Sequence, residues 1–407
     1  MYLIGADSLL LCNEDFTTLK KGGIYFNEKE ILEIDLYEKL QNKPAKYQKY
    51  YHNCVITPTL SNLHLHLEFS QNKGILEFGN FGVWLDSVIE NRDSLMDDSL
   101  QAQMEQEIQN LLKSGVGFVG AISSYGYDLI ALANSPLRTI YFNEVIGSKP
   151  EILDTLYQNL LARLEESKKF ASQKFFPALA IHSPYSVHPA LLKQTLSLAK
   201  TQNLPLSIHF LESKEEREWL ESKTGYFQNF FKKFFNAQMQ PFYTPSEFLE
   251  SFKTLKPYFV HCLEATYQEL EVIAKMQGHI ISCVKSNRLL NNKVLDLNLC
   301  KKLGINPIFA TDGKSSNDSL SLLDELRTAL YIYANEDLES LAKTLLLGVT
   351  YYAHKNNPLK IKTGSLQKGF LPDFAIFKLN TKRQSALDLL LYAKEAKALY
   401  IGGKQII

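Results

Sequence analysis

Between about residue 58 and residue 350 the chain alternates short apolar runs with longer helical stretches, a rhythm that few architectures can satisfy. The runs are Gly117–Ile122, Arg138–Phe142, Phe176–Ile181, Pro205–His209, Tyr258–His261, His279–Ser282 and Pro307–Ala310. Between them lie helical stretches at 98–114, 151–171, 189–202 and 319–335. A continuous apolar run of this length suits a strand buried on both faces, and strands separated by helices suit parallel pairing. About eight such units over roughly 290 residues predict a closed (β/α)8 barrel, an architecture of about 250 residues before insertions. Residues 221–256, rich in Phe and Lys, read as an elaborated helical insertion.

The two ends of the chain differ from the middle. Met1–Leu11 is mostly apolar, Lys20-Lys21-Gly22-Gly23 reads as a turn, and Ile24–Phe26 and Ile31–Ile34 follow as short strands. After about residue 357, Thr363–Gly369 reads as turn, strand and turn. Phe374–Phe377 and Ala398–Ile401 read as strands, and Gly402-Gly403 as a hairpin signal. The expected organisation is an α/β TIM barrel over 58–350. Beside it sits a small β-sandwich domain built from both chain ends, 1–57 and 351–407.

Composition narrows the partners. Lys plus Arg and Asp plus Glu both number 44, so the formal charge is zero. That balance gives no electrostatic reason to expect nucleic acid or an anionic membrane. No apolar run reaches about 18 residues, the length of a membrane-spanning helix. The start, Met1-Tyr2-Leu3-Ile4-Gly5-Ala6-Asp7, lacks the basic region of a signal peptide. Five scattered cysteines without a C-x-x-C pair suit reduced thiols. The expected location is the cytoplasm.

The histidines carry the functional argument. His64 and His66 form H-x-H after the apolar stretch Val55–Leu60. Residues two apart on a strand point to the same side, about 6.5–7 Å apart along the chain. His209 ends one apolar run, His261 another, and Asp312 follows a third. A lone His past a strand is ordinarily a hydrogen-bonded loop residue, and Asp before Gly is ordinarily a turn former. Five such residues at strand ends form a set, because the carboxyl ends of barrel strands share one mouth. Nitrogen and oxygen donors of this type suit Zn²⁺ or Fe²⁺. Glu212, three residues past His209, stands where a carboxylate can move a proton to or from an activated water. Glu215, Glu216 and Glu218 read instead as the acidic first turn of a helix.

This constellation resembles the amidohydrolase superfamily, in its chlorohydrolase/deaminase branch. The resemblance spans nearly the whole chain. It rests on Thr57-Pro58…Asn62-Leu63-His64-Leu65-His66, His209-Phe210-Leu211-Glu212 and His261-Cys262-Leu263. It continues through Thr311-Asp312-Gly313…Ser316-Asn317…Asp324-Glu325-Leu326-Arg327 and the tail Thr363-Gly364-Ser365-Leu366…Gly369…Asp373. Pro372, where Ala is usual, is a small departure. The resemblance implies that His64, His66, His209 and Asp312 ligate one divalent ion, Zn²⁺ first, with Fe²⁺ and Mn²⁺ as alternatives. It gives Glu212 the proton shuttle, and sets His261 and Asp312 beside the attacking water. Two-metal members carry a carbamylated lysine after the fourth strand, where this chain has Ala180-Ile181-His182-Ser183-Pro184-Tyr185. The resemblance therefore implies a one-metal site. The unrelated zinc deaminases with H-x-E and P-C-x-x-C are excluded by motif.

The segment His66–Ser70 with Phe81–Leu85 and Glu90-Asn91-Arg92 resembles the nucleoside-deaminating members, most closely the aminodeoxyfutalosine deaminases. These convert 6-amino-6-deoxyfutalosine to futalosine on a route to menaquinone. Glu68, Trp84, Arg92, Glu144 and His182 are the candidates for contacts with such a nucleoside-like substrate, an arginine suiting a carboxylate by bidentate pairing. Against this, Trp84 at helical spacing from Val88 reads equally as core, and Glu68 as a helix cap. Tyr185 and His188 read as loop packing. Deaminases of S-adenosylhomocysteine, methylthioadenosine or guanine, and halide-releasing hydrolases, share the same metal set, and a barrel kept only as a scaffold would have lost it. A homodimer through the barrel face is compatible with the sequence.

Overall fold

In the computed structural model, which describes residues 1–72, 74–95, 99–236 and 238–407, the strands form two sheets. The first begins with β1 (Tyr2–Leu10), β2 (Thr18–Phe26), β3 (Ile31–Leu36) and β4 (Tyr47–Pro58). The second holds β5 (Leu60–Leu65), β6 (Val116–Ser123), β7 (Arg138–Val145), β8 (Phe175–Ile181), β9 (Leu206–Phe210), β10 (Tyr258–His261), β11 (His279–Ser282) and β12 (Ile308–Phe309). The chain then returns to the first sheet with β13 (Phe374–Lys378), β14 (Ala396–Ile401) and β15 (Lys404–Gln405).

The second sheet runs β5 to β12 in order, every neighbour parallel. Side-chain and backbone bonds draw its two edges together. Asn62 donates to the Thr311 hydroxyl at 2.7 Å, Thr311 N–H to Asn62 Oδ1 at 3.1 Å, and Asp312 N–H to the His64 carbonyl at 3.1 Å. Every residue of β6 and β7 is buried, which explains the apolar run of β6 and the apolar centre Ile140–Phe142 of β7. Leu63, Phe118, Ile140, Phe142, Val260 and Ile281 fill the interior, so the barrel is a packed core open to chemistry only at its end.

Both chain ends build the first sheet, in the order β15-β14-β13-β4-β1-β2-β3. The β1–β4 pair is parallel and the others antiparallel. Phe26 on β2 lies 5.3 Å from Phe374 on β13, although β1 and β4 separate those strands. The sheet therefore folds over itself and encloses its own small core. Only Thr59 separates the two sheets along the chain, and Gly117 leaves room for its side chain. The Arg138 guanidinium at the start of β7 binds Asp373 through two bonds, 2.6 and 3.1 Å, with both side chains almost wholly buried.

Two expectations for the ends are corrected. Lys20–Gly23 is not a turn but lies inside β2, where Gly5 pairs with Gly23. The Tyr37 ring occupies the space that a side chain on Gly5 would need, so glycine here makes room for packing and not for a bend. Thr363–Gly369 contains no strand. Gly364 and Gly369, with φ of +79° and +80°, break the extended run. The segment is held by separate bonds, Leu366 N–H to Leu11 O and Gly369 N–H to Ile31 O.

The predicted helices appear as Leu100–Lys113, Leu153–Lys168, Pro189–Gln202 and Leu322–Ile332. Residue 98 of the first predicted stretch lies outside the described residues. So does residue 237 of the stretch 221–256, which otherwise holds helices Tyr226–Phe235 and Pro245–Glu250. Phe227 buries its ring against Tyr185 and Phe81. Tyr226 donates its hydroxyl to Asp86. The insertion thereby fixes the helix Phe81–Glu90, which carries Trp84 toward the barrel mouth.

Candidate active site

Each residue singled out at a strand end arrives at the same mouth. His64 lies near the end of β5 and is fully buried, and His66 follows immediately after that strand. His209 and His261 come from β9 and β10, and Asp312 from the loop after β12. The backbone bends sharply to aim them. Leu211, His261, Cys262 and Asp312 all take positive φ, at 48°, 71°, 53° and 61°. Such a conformation costs a non-glycine residue about 1–3 kcal/mol and is held only where surroundings over-determine it.

The rings form a tight cluster. Centroid separations are 5.0 Å for His64–His66, 4.9 Å for His64–His209, 5.4 Å for His66–His209 and 5.6 Å for His209–His261. Asp312 Oδ1 stands 3.4 Å from Nε2 of both His64 and His66. Its other oxygen accepts hydroxyls from Ser286 and Ser316, each at 2.8 Å.

Hydrogen bonds outside the cluster set its tautomers. His209 Nδ1 donates to the His182 carbonyl at 2.8 Å, which turns the lone pair of Nε2 inward. His261 Nδ1 meets Asn287 Oδ1 at 2.8 Å, leaving Nε2 buried and without a hydrogen-bond partner. Both ring nitrogens of His64 and Nδ1 of His66 are likewise buried and unpartnered. Burial pushes the His64, His209 and His261 rings below their usual range, and His66 down to about 4, so all four favour the neutral, donor-ready form. For Asp312, burial works upward. The close approach of His64, 3.4 Å away, and the neighbouring imidazoles outweigh it and hold the carboxyl well below the usual range. Neutral imidazoles around one carboxylate, with orphaned nitrogens, fit a divalent cation and are costly without one. Ligand atoms of His64, His66 and Asp312 lie within 4.8 Å of one another, as do those of His64, His209 and His261.

Glu212 also reaches the mouth, with Oε1 3.6 Å from His261 Nε2. Burial first, then the negative charge of Asp312, pushes its carboxyl well above the usual range. It is therefore a group that readily holds a proton. Its backbone N–H donates to Glu216 Oε2 at 2.9 Å, so Glu216 braces the turn from inside.

The five substrate-contact candidates fare differently. Glu144 and His182 stand beside His209, their ligand atoms within 4.8 Å. One Glu144 oxygen accepts the Ser124 hydroxyl, and the other is buried without a partner. His182 Nδ1 is held by Ser186 Oγ at 2.7 Å. Trp84 is half-buried and donates its indole N–H to the Ser315 carbonyl at 2.7 Å, next to the Asp312 loop. Arg92 is exposed and lies over the Tyr125 ring, 4.9 Å from its centroid. Glu68 has a different task from the one expected. Its fully buried carboxylate accepts backbone N–H groups of Ser124, Tyr125 and Tyr127 at 2.7, 3.0 and 2.7 Å, so it supports the loop after β6 and its oxygens are already occupied. Tyr185 packs on Phe227 and His188 caps the helix that follows it, as loop residues do.

Sequence reasoning misses Ser286, Asn287 and Ser124. Ser and Asn carry no metal-ligand signature, and these become visible only where the structure sets Ser286 and Asn287 in the helix Val284–Asn291 after β11 and Ser124 just past β6.

A closed parallel barrel with this donor set at its carboxyl mouth defines a metal-dependent hydrolase. The chain belongs to the amidohydrolase family, whose model matches residues 55–406. That family is metal-dependent, and the chain is a hydrolase acting on C–N bonds. It is 40% identical over 383 residues to an aminodeoxyfutalosine deaminase of Nitratiruptor sp., covering 93% of each chain. It is 38% identical over 413 residues to a protein of Helicobacter pylori named adenosine deaminase, covering 100% of this chain and 99% of that one. The crystal structure of Helicobacter pylori aminofutalosine deaminase in complex with methylthio-coformycin superimposes with a TM-score of 0.93. Identity is 38%, and each chain is covered in full. No helix among the described residues is long and apolar enough to cross a membrane.

Proposed function

We propose that this protein is a metal-dependent deaminase that hydrolyses the adenine group of a nucleoside-like substrate to hypoxanthine and ammonia, with 6-amino-6-deoxyfutalosine as the substrate. The observation that carries the reading is the cluster of His64, His66, His209 and Asp312 at the barrel mouth, with the His64 nitrogens buried and without hydrogen-bond partners. These four residues would hold one divalent ion, and imidazole with carboxylate suits zinc, with iron and manganese next. When bound, the ion supplies Lewis acidity, which makes water nucleophilic at neutral pH.

The chain's own groups supply the rest. Glu212, whose carboxyl holds a proton readily, takes one from the attacking water and passes it to the ring nitrogen beside the carbon under attack. Protonating that nitrogen neutralises the charge that builds in the ring as the new C–O bond forms. His261, fixed by Asn287 with Nε2 toward Glu212, orients the water together with Asp312. The proton of the newly added hydroxyl then passes to the amino group, the C–N bond breaks, and ammonia departs, leaving the hypoxanthine carbonyl. The named relatives support the adenine group as the target, and the Nitratiruptor relative's name supports a place in menaquinone biosynthesis.

The test is an ultraviolet deamination assay on zinc-loaded protein, with 6-amino-6-deoxyfutalosine, adenosine, S-adenosylhomocysteine, methylthioadenosine and guanine. A dominant kcat/KM for the first upholds the reading. Dominance of adenosine, the activity in the Helicobacter pylori protein's name, would keep the mechanism and replace the substrate.

A further inference from the structure

We infer that Glu216 is the positioning residue of the proton shuttle: through a hydrogen bond to the Glu212 backbone it aims the Glu212 carboxylate toward His261. The inference rests on the proposed deaminase reading, in which Glu212 moves the protons. It adds a residue that the sequence places in an ordinary acidic first turn.

The helix Lys214–Ser222 opens with the residues of a capping box, Ser213 at the N-cap and Glu216 three positions on. Half of the box is made, the Glu216 N–H donating to Ser213 Oγ at 3.1 Å. In the boxes that open the helices Pro245–Glu250, Tyr267–Lys275 and Ala386–Tyr392, the acidic side chain returns to the N–H of the N-cap residue itself. Glu247 Oε2 accepts the Thr244 N–H at 2.8 Å, and Glu269 Oε2 the Thr266 N–H at 2.7 Å. Glu216 reaches one residue further back. Its Oε2 accepts the N–H of Glu212 at 2.9 Å, and the Leu211 N–H also points to the carboxylate.

The redirected bond falls on a turn that needs holding. Leu211 takes a φ of 48°, a conformation a branched side chain keeps only when its surroundings impose it. From the β10 side, Cys262 N–H donates to the Phe210 carbonyl and Glu264 N–H to the Leu211 carbonyl, both at 3.0 Å. Glu216 grips the same turn from the helix side. Between them they fix the Cα from which the Glu212 side chain leaves, and Glu212 Oε1 stands 3.6 Å from His261 Nε2. The helix dipole alone does not account for Glu216. It favours an acid modestly at the surface, whereas Glu216 is wholly buried and its Oε1 has no hydrogen-bond partner. Burying a carboxylate costs more than the dipole returns, and pushes this one up to about 8. What the buried group does is accept backbone N–H groups of the turn that carries the shuttle.

The experiment is steady-state kinetics of zinc-loaded variants on whichever adenine nucleoside the wild type turns over best, with zinc content and thermal melting measured for each. Glu216→Met has the length and no acceptor. It should keep zinc and lower kcat by about 10–100-fold at nearly unchanged KM, the scale on which a small misplacement slows a reaction. Glu216→Gln keeps an oxygen at the same reach and should recover most of that loss. Glu216→Asp keeps the charge, falls short of the Glu212 N–H, and should stay slow. Hydrogen exchange read by mass spectrometry should quicken in the peptide holding Leu211 and Glu212 in Glu216→Met, and not in Glu216→Gln. With Glu212→Gln already present, Glu216→Met should cost nothing further, because no shuttle is left to aim. A Glu216→Met variant as fast as the wild type, or one that multiplies the loss of Glu212→Gln, would overturn the inference. If Glu216→Met fails to fold, the other pair decides: a fast Glu216→Asp beside a slow Glu216→Gln overturns it, and the reverse upholds it. A Glu212→Gln variant that is itself active brings down the shuttle assignment, and the inference with it, whatever the Glu216 variants do.

Discussion

At the scale of single residues, the site depends on which atom of each side chain is left free. Glu212 is useful because burial and Asp312 let its carboxyl hold a proton. Glu212→Gln should retain stoichiometric zinc by metal analysis and lose activity by about 10²–10⁴-fold, the usual contribution of a general acid–base group. Asp312→Ala removes the carboxylate that faces both His64 and His66, and should release the metal on dialysis. Asn287 is a quieter case. It holds His261 Nδ1, so Asn287→Leu should cut kcat by about 10–100-fold with little change in KM, the scale seen when a partner behind a site histidine is lost. The histidines themselves are legible in the sequence, because each stands where an apolar run stops. Asn287 and Ser286 are not, because neither has a residue type that signals chemistry.

At the scale of elements, strands aim the ligands and close packing keeps them aimed. Gly120 on β6 lies against the Leu63 carbonyl of β5, where a Cβ would collide with backbone. Gly120→Ala should push β5 outward and displace His64, which follows Leu63. The expected cost is about 1–3 kcal/mol of stability by denaturant unfolding, with weaker metal retention in the same variant. The elements themselves are largely readable from the chain. β6, β7 and β8 coincide with the predicted runs, because a strand buried on both faces is apolar over most of its length. Lys20–Gly23 misleads because Gly-Gly after two lysines has the composition of a turn. In the structure Gly5 and Gly23, paired across β1 and β2, make room for the ring of Tyr37, a contact between elements that local pattern does not contain.

At the scale of the whole molecule, the folded-over sheet clamps the barrel through a few buried polar links. The Arg138–Asp373 pair joins β7 to the start of β13, 235 residues apart. Asp373→Ala leaves the guanidinium buried without its partner and should cost about 3–5 kcal/mol, read by denaturant unfolding. The double change Arg138→Met with Asp373→Leu should cost less than either single change, since no charge is then left unpaired. An additive double would show that the two residues act separately.

By itself the sequence determined the barrel, the two-ended β domain and the set of His64, His66, His209, His261, Asp312 and Glu212. These follow from local pattern: apolar runs make strands, and several His and Asp residues where such runs stop form a set because the carboxyl ends of barrel strands share one mouth. Only the tertiary structure decided which nitrogen of each ring points inward, that Glu68 braces a loop, and that Tyr125, Tyr127 and Arg92 share one rim. Apart from the Tyr125–Tyr127 ring contact, those features are hydrogen bonds and ring contacts between segments distant in sequence. They depend on how the elements pack, and no window along the chain contains both partners.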